Sequence, residues 1–177
     1  MRNLVILFAI LAGLLGPATT ALGSEGEHAV ERHYIPAPPA PRGQSPADAL
    51  AKSEGCVSCH TSTERTSMHA SEGVNLGCVD CHGGDHSVLK PVGAAKASAS
   101  YAQARDKAHV LPRYPDAWNY PSSRNPEVSY TLLNRESPEF VRFNNPSDYR
   151  IVEESCGACH MPIIQAAKRS KIGRAHV

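Results

Sequence analysis

Apolar residues are concentrated in one run near the start of the chain and are thinly spread after it. The run from Leu4 to Leu15 follows Arg2 and precedes the small residues of 18–23. This order is typical of a secretory signal peptide, which we assign to residues 1–23. An uncleaved anchor is the alternative, although the run is short for a membrane span. We therefore expect an exported protein, either periplasmic or extracellular and associated with the outer membrane, without a transmembrane span after cleavage.

The remaining pattern predicts a linker followed by short helices. Residues 24–44 are polar and then proline-rich, which favours an extended linker. Helix starts are predicted at three places: Ser45, Ser137, and Ser147 or Asp148. Residues 94–109 contain neither Gly nor Pro and predict a helix of about four turns. We expect a mainly α fold over residues 45–170, with much irregular backbone and few or no strands.

Composition limits how much core this chain can build. Hydrophobic residues make up 41% of the sequence and aromatic residues 6%, and the chain shows few amphipathic stripes. A large apolar cofactor would supply the missing core, and we expect the chain without it to be largely unfolded. The charges nearly cancel, with 18 Lys and Arg against 17 Asp and Glu. Nothing in this balance suggests nucleic-acid binding, which needs a clustered basic surface.

One pentapeptide pattern, C-x-x-C-H, occurs three times, at 56–60, 78–82 and 156–160. It is the attachment sequence of c-type haem, in which two thiols form thioethers to the porphyrin and the following His binds the iron. The three copies use all six cysteines: Cys56, Cys59, Cys78, Cys81, Cys156 and Cys159. We therefore expect three covalent haem c groups. Zinc sites or disulfides are the alternative, but three pairs divide badly into four-ligand zinc sites and the His after each pair favours haem.

The histidines fall into motif, body and terminal groups. The motif histidines are predicted to bind iron on one side of each haem: His60, His82 and His160. The body holds three more, equal to the number of irons, which we predict as second axial ligands: His69, His86 and His109. The alternative is that these are surface or packing histidines, and Met68 and Met161 compete as thioether ligands. His28 and His33 fall in the linker.

The last residues, KIGRAHV at 171–177, have an unusual explanation. One back-translation of them, AAG ATC GGA AGA GCA CAC GTC, contains the start of a widely used sequencing adapter. We interpret the segment as an adapter artefact, which removes His176 from the ligands. The natural chain is then expected to continue beyond about Ser170. The alternative is an ordinary basic tail.

With these motifs the chain resembles the multihaem c-type cytochromes of bacteria. The segment CVSCHTSTERTSMHASEGVNLGCVDCHGGDH, 56–86, looks like their paired-motif module, and 124–160 is similar to a segment of large exported members. The resemblance implies a small haem-cored domain, here a trihaem cytochrome c domain over 45–170. It also implies that a His several residues before the second motif, here His69, ligates a neighbouring haem. The chain differs from the larger members in stopping after three motifs.

The motifs and the resemblance together favour an electron carrier over an enzyme. Irons that hold two histidines have no position for a substrate, so we expect single-electron transfer and no catalytic residues. Expected partners are other redox proteins or membrane quinol-oxidising complexes. The alternative is a haem oxidoreductase acting on nitrogen or sulfur oxyanions, or the N-terminal part of one, with Lys107, Arg113 or Tyr114 as donors to the substrate. A sensory or scaffold domain is the third alternative.

Overall fold

The computed structural model describes residues 28–62, 69, 71, 73–118 and 134–170. These residues form six α-helices: α1 Pro46–Ala51, α2 Glu54–Cys59, α3 Cys78–His82, α4 Ala99–Ala108, α5 Pro138–Asn144 and α6 Val152–Arg169. A 3₁₀ turn, Pro115–Ala117, lies between α4 and α5, and the described residues contain no strand. The predicted mainly α fold with much irregular backbone is confirmed. The predicted signal peptide, Met68 and the 171–177 tail lie outside the described residues.

Two predicted helix starts are confirmed by their capping contacts. Ser45 Oγ accepts from Asp48 N at 3.1 Å, and Pro46 occupies the first turn of α1. Ser137 Oγ accepts from Phe140 N at 3.1 Å at the start of α5. Each serine satisfies a backbone N–H that has no partner inside its helix, and a proline at the first position gives up no helical hydrogen bond. These contacts are local, so the sequence alone reveals them.

The helix expected over 94–109 is shorter than predicted. α4 has 10 residues and begins after Ser98, whose Oγ accepts from Tyr101 N at 3.3 Å. The residues before it form a turn in which Ser98 N donates to Ala95 O at 2.9 Å. A serine side chain that binds the backbone ahead of it favours a helix start at that point. The absence of Gly and Pro therefore overstated the length of this helix.

The helix that carries the third motif begins later than predicted. The start expected at Ser147 or Asp148 is wrong, because Asp148 Oδ1 accepts from Arg150 N at 2.9 Å in a turn that comes before the helix. α6 begins at Val152 and continues for 18 residues, with Pro162 inside it. The third motif therefore lies within a long helix and not at the end of a short one.

The segment 28–44 contains no helix or strand, and backbone hydrogen bonds attach it to the helical body. Val30 N donates to Arg113 O at 2.7 Å, and Ala40 N donates to Glu154 O at 2.8 Å. Ala40 is buried. Over these residues the extended chain packs along the body.

Few hydrophobic side chains are buried, and helix contacts centre on the second motif. The buried hydrophobic residues are Ala40, Ala49, Val110, Tyr114, Ala117, Phe140, Val141, Ile151, Val152 and Ile164. Among the helices, α3 packs against both α5 and α6. Within the described ranges, no helix is long and apolar enough to cross a membrane. The second motif therefore occupies the most connected position in the fold.

Candidate functional site

All three motifs are helical, which places both thiols of each pair on one side of a turn. The first motif ends α2 and its His60 caps that helix, the second motif is the whole of α3, and the third lies inside α6. None of the six cysteines forms a disulfide. Residues three apart in a helix lie on the same face. Each cysteine pair can therefore bind one edge of a planar group, and the histidine that follows can bind its centre.

The first motif histidine faces a histidine from α4. The ring centroids of His60 and His109 are 6.1 Å apart, and the ring planes are inclined by 22°. Two nitrogen–metal bonds of about 2 Å each, with about 1 Å from each nitrogen to its ring centroid, give about 6 Å. The distance between the centroids is therefore one that two imidazoles sharing a metal ion would have. His109 is one of the predicted second ligands.

The third motif histidine has a similar partner. The ring centroids of His160 and His69 are 6.1 Å apart, and their planes are inclined by only 12°. His69 precedes the second motif in the chain, yet the fold places it opposite the third. The role of His69 as a ligand of a neighbouring haem stays a prediction.

The second motif histidine is held by a backbone carbonyl. His82 Nδ1 lies 2.7 Å from Phe143 O. Because a carbonyl can only accept, Nδ1 carries the proton and Nε2 of the neutral ring keeps its lone pair. Metal-binding histidines are commonly oriented by such a second hydrogen bond. The ring contact of His82 among the described residues is with Phe143, at 6.4 Å and 76°.

The contacts found for the remaining candidate ligands, His86 and Met161, do not involve the ring of a motif histidine. His86 places its carbonyl oxygen 2.8 Å from Gly55 N, beside the start of the first motif, and its role as a ligand stays a prediction. The Met161 side chain folds back along α6 and contacts Gly157. Among the described residues, the structure thus places a second histidine ring near two of the motif histidines.

Burial keeps one of the paired histidines neutral. His109 is half-buried, and this burial, with smaller contributions from His60 and Arg105, lowers its pKa from 6.5 to about 4. A neutral imidazole retains the lone pair that a metal ion needs. At neutral pH His109 is therefore ready to act as a ligand.

A buried arginine, which the sequence does not single out, holds the second motif in place. Arg142 is only 3% exposed, and its guanidinium donates to the carbonyls of Asp80 and Cys81 at 2.7 and 3.1 Å. It also donates to Ala37 O at 3.0 Å and Pro38 O at 2.9 Å. A cation beside the last carbonyls of a helix is favourable because these carry partial negative charge. No local pattern marks this residue, since its partners lie far away in the chain.

A buried carboxylate joins the second motif to α1 and its neighbours. Asp80 accepts from Lys52 Nζ at 2.8 Å and from Gly77 N at 2.7 Å, and also from the Gln44 side chain. Burial alone would raise the pKa of Asp80, but these hydrogen bonds outweigh it and lower the pKa. The ionised carboxylate therefore fixes the start of α3 against the residues that precede the first motif.

The donors proposed for an oxyanion substrate do not come together. Lys107 lines a cavity of about 350 Å³ beside His109. Tyr114 is buried in the core, and its backbone N–H and that of Arg113 donate to Glu136 at 3.0 and 2.7 Å. Of the three donors, only Lys107 lines this cavity.

The zinc and disulfide alternatives gain no support from this geometry. A structural zinc site needs four ligands around one ion. Across the part of the chain that the structure describes, no three His, Cys, Asp or Glu side chains converge on such a point. The cysteines also remain unpaired with one another as disulfides.

Comparison of the whole chain with known proteins adds no relative. No protein-family model, no curated protein and no solved structure matches it. The family suggested by the motifs therefore stays a prediction, and function has to be inferred from the motifs and from the geometry around them.

Proposed function

We propose that this chain is an exported multihaem c-type cytochrome that passes single electrons between redox partners through three covalently attached haems. One observation carries the proposal: three complete C-x-x-C-H motifs lie on helical turns, and two of their histidines face a second histidine at 6.1 Å. Neither a zinc site nor a disulfide framework would require that spacing between imidazole rings.

The chain's own residues have distinct roles in this proposal. The six motif cysteines would hold the porphyrins through thioether bonds, and the motif histidines would bind the irons. His109 and His69 would supply a second imidazole at the first and third motifs. When bound, each haem c supplies a one-electron Fe(III)/Fe(II) couple. Two imidazoles leave no open position on an iron, which favours electron transfer over catalysis, and they favour lower potentials than a Met/His pair.

The partners that fit this role are other redox proteins or a membrane quinol-oxidising complex. A one-electron carrier needs a donor and an acceptor that it can dock against in turn. An exported chain would meet both outside the inner membrane, where the predicted signal peptide directs it. The near-neutral charge balance, 18 basic against 17 acidic residues, is consistent with protein partners and gives no support for nucleic acid.

A haem oxidoreductase is the second candidate, and one observation favours it. The ring of His82 contacts Phe143, and the described residues show no histidine ring against it. If His86 is not the second ligand of the iron at the second motif, that iron could bind an oxyanion substrate. Rapid binding of cyanide or nitrite by the oxidised protein, with a matching high-spin signal, would favour this candidate over a pure carrier.

The haem load tests the proposed function. The full chain, produced with a c-type maturation system, should have a denatured mass equal to the processed polypeptide plus three haems. Replacement of one motif pair, for example Cys156→Ala with Cys159→Ala, should remove one haem and leave two. A bare polypeptide mass, with zinc released on denaturation, would contradict the proposal.

A further inference from the structure

The second motif is built directly onto the residues that precede the first motif. Cys78 N donates to Ser53 Oγ at 3.0 Å, and Val79 N donates to Lys52 O at 3.5 Å. Lys52 also forms the ion pair with Asp80. Ser53 lies three positions before Cys56, so the start of α3 and the start of the first motif are neighbours.

The first cysteines of these two motifs are in contact. The Cys56 and Cys78 thiols are hydrogen-bond partners. The two sulfur atoms that would carry thioether bonds therefore meet. Haems attached through them would approach each other by their attached edges.

The other side of the second motif faces the third motif. Arg142 donates to Cys81 O at 3.1 Å and lies 3.8 Å from the Glu154 carboxylate, two residues before Cys156. α3 also packs against α6.

An aromatic ring connects the iron ligands of the first and second motifs. The Phe143 ring lies 5.0 Å from the ring of His109 and 6.4 Å from the ring of His82. The backbone carbonyl of Phe143 also accepts the His82 Nδ1 proton. One residue of α5 therefore touches the predicted second ligand of one iron and the motif ligand of the next.

We propose that the second motif is the middle link of the three, so that an electron moving between the haems of the first and third motifs crosses the haem held by Cys78 and Cys81. The inference rests on the proposed function and adds the order of the centres. Each transfer moves one electron, oxidising the donor iron from Fe(II) to Fe(III) and reducing the acceptor iron from Fe(III) to Fe(II), with no bond formed or broken. An external one-electron reductant starts the sequence, and an external oxidant ends it.

Three two-haem proteins test this order. Each replaces both cysteines of one motif by alanine: Cys56 with Cys59, Cys78 with Cys81, or Cys156 with Cys159. In each protein, reduction of one iron should make the other harder to reduce, because a neighbouring charge acts more strongly at short distance. We expect this mutual shift of potential to be clear when the second motif is kept and smallest when it is removed. A largest shift in the protein that lacks the second motif would overturn the inference.

If a two-haem protein does not fold, two single substitutions that keep all three haems can be used instead. His109→Met and His69→Met each place a thioether on one iron and raise its potential, so that this iron is reduced first. In both variants we expect the potential of the second-motif iron to fall most in response. The His82→Met change assigns the EPR signal of that iron. A stronger response between the first and third irons would overturn the order.

Denatured mass separates the two possible failures. A parent protein without haem contradicts the proposed function itself. A parent with three haems and a different pattern of potential shifts contradicts only the order of the centres.

Discussion

The second and third motifs share one sequence pattern but are held in place in opposite ways. The second motif is a helix of five residues, too short to persist without outside contacts. The third motif lies inside the 18-residue α6, where Cys159 and His160 are exposed. The pattern therefore specifies the chemistry of each attachment, whereas distant residues determine how firmly each is fixed.

The different anchoring of the two motifs predicts which substitutions should lower stability. The second motif depends on Arg142 and Asp80, both buried and both bound to partners far away in the chain. Near the third motif, a surface ion pair joins Lys168 to Glu153 at 2.7 Å. Substitutions remote from the second motif should loosen it, while similar changes around the third should have small effects.

The largest effect is expected from Arg142→Leu. It removes donors to the carbonyls at the end of α3 and in the extended segment, and hydrogen bonds to charged groups are worth about 1.5–3 kcal/mol each. We expect the free energy of unfolding of the three-haem protein to fall by about 3 kcal/mol or more, measured by guanidinium titration. Arg142→Lys should recover only part of it, because an ammonium lacks the planar fork.

The matched control is Lys168→Ala. It breaks an exposed ion pair beside the third motif, for which about 0–1 kcal/mol is expected. Equal losses in Arg142→Leu and Lys168→Ala would contradict the contrast between the two motifs.

A second test compares glycines next to motif cysteines. A Cβ at Gly55 would lie 2.3 Å from His86 O and 2.5 Å from Val88 O, both backbone atoms, so Gly55→Ala should cost about 1–3 kcal/mol. At Gly157 the added carbon meets only the flexible end of Met161, at 2.7 Å. Gly157→Ala should therefore be neutral or stabilise α6 by about 0.5–1 kcal/mol.

The thermal unfolding midpoint of the haem-loaded protein measures both changes. Gly43→Ala is the control for a site where nothing lies within 4 Å of the new carbon. If Gly55→Ala were as mild as Gly43→Ala, the packing of the 86–88 backbone against the first motif would be wrong.

The third test is how the free energy of unfolding falls as the pH is lowered. The pKa of Asp80 is lowered in the folded protein relative to about 3.9 in the unfolded chain. Its ionised form therefore stabilises the fold fully above the unfolded pKa, and that contribution is lost as the pH falls through the folded pKa. Asp80→Asn should lower stability at pH 6 and flatten its decline toward pH 2.

Guanidinium midpoints of both proteins between pH 6 and pH 2 measure this difference. Asp85 also has a lowered pKa, through its Ser87 hydrogen bonds, and contributes equally to both proteins. Parallel pH profiles for the parent and Asp80→Asn would show that Asp80 does not anchor α3.

A small loss of stability is expected from Phe143→Leu. The change keeps the backbone carbonyl that binds His82 and should cost about 1 kcal/mol, as shape changes in a core often do. It removes the ring that contacts His82 and His109, and the apolar surroundings of a ligand influence the potential of its metal. Redox titration should show shifts at the first and second irons, while a shift confined to the third would contradict the contact.

The local features of this fold could be predicted from the sequence. The three motifs, the capping serines at Ser45 and Ser137 and the mainly helical content all depend on residues a few positions apart. The start of α6 is an exception, because the Asp148 carboxylate accepts from Arg150 N in a turn that comes before the helix.

The pairing of distant residues could not be predicted in this way. The sequence supplies His69 and His109 as candidates, but which motif each faces depends on how the helices pack. Arg142 gives no signal at all, since an arginine in a short helix is usually exposed and its carbonyl partners have no side-chain signature. Tertiary contacts, not spacing, assemble the site.

Low-temperature EPR of the oxidised three-haem protein and of its single histidine variants tests the proposed iron ligands most directly. His109→Ala and His69→Ala should each convert one low-spin iron into a high-spin iron, because each removes one axial imidazole, while His28→Ala should change nothing. His86→Ala in the same series tests whether His86 completes the second-motif iron. If the spectra of His109→Ala and His69→Ala are both identical to that of the parent, the proposed pairing of His60 with His109 and of His160 with His69 is contradicted.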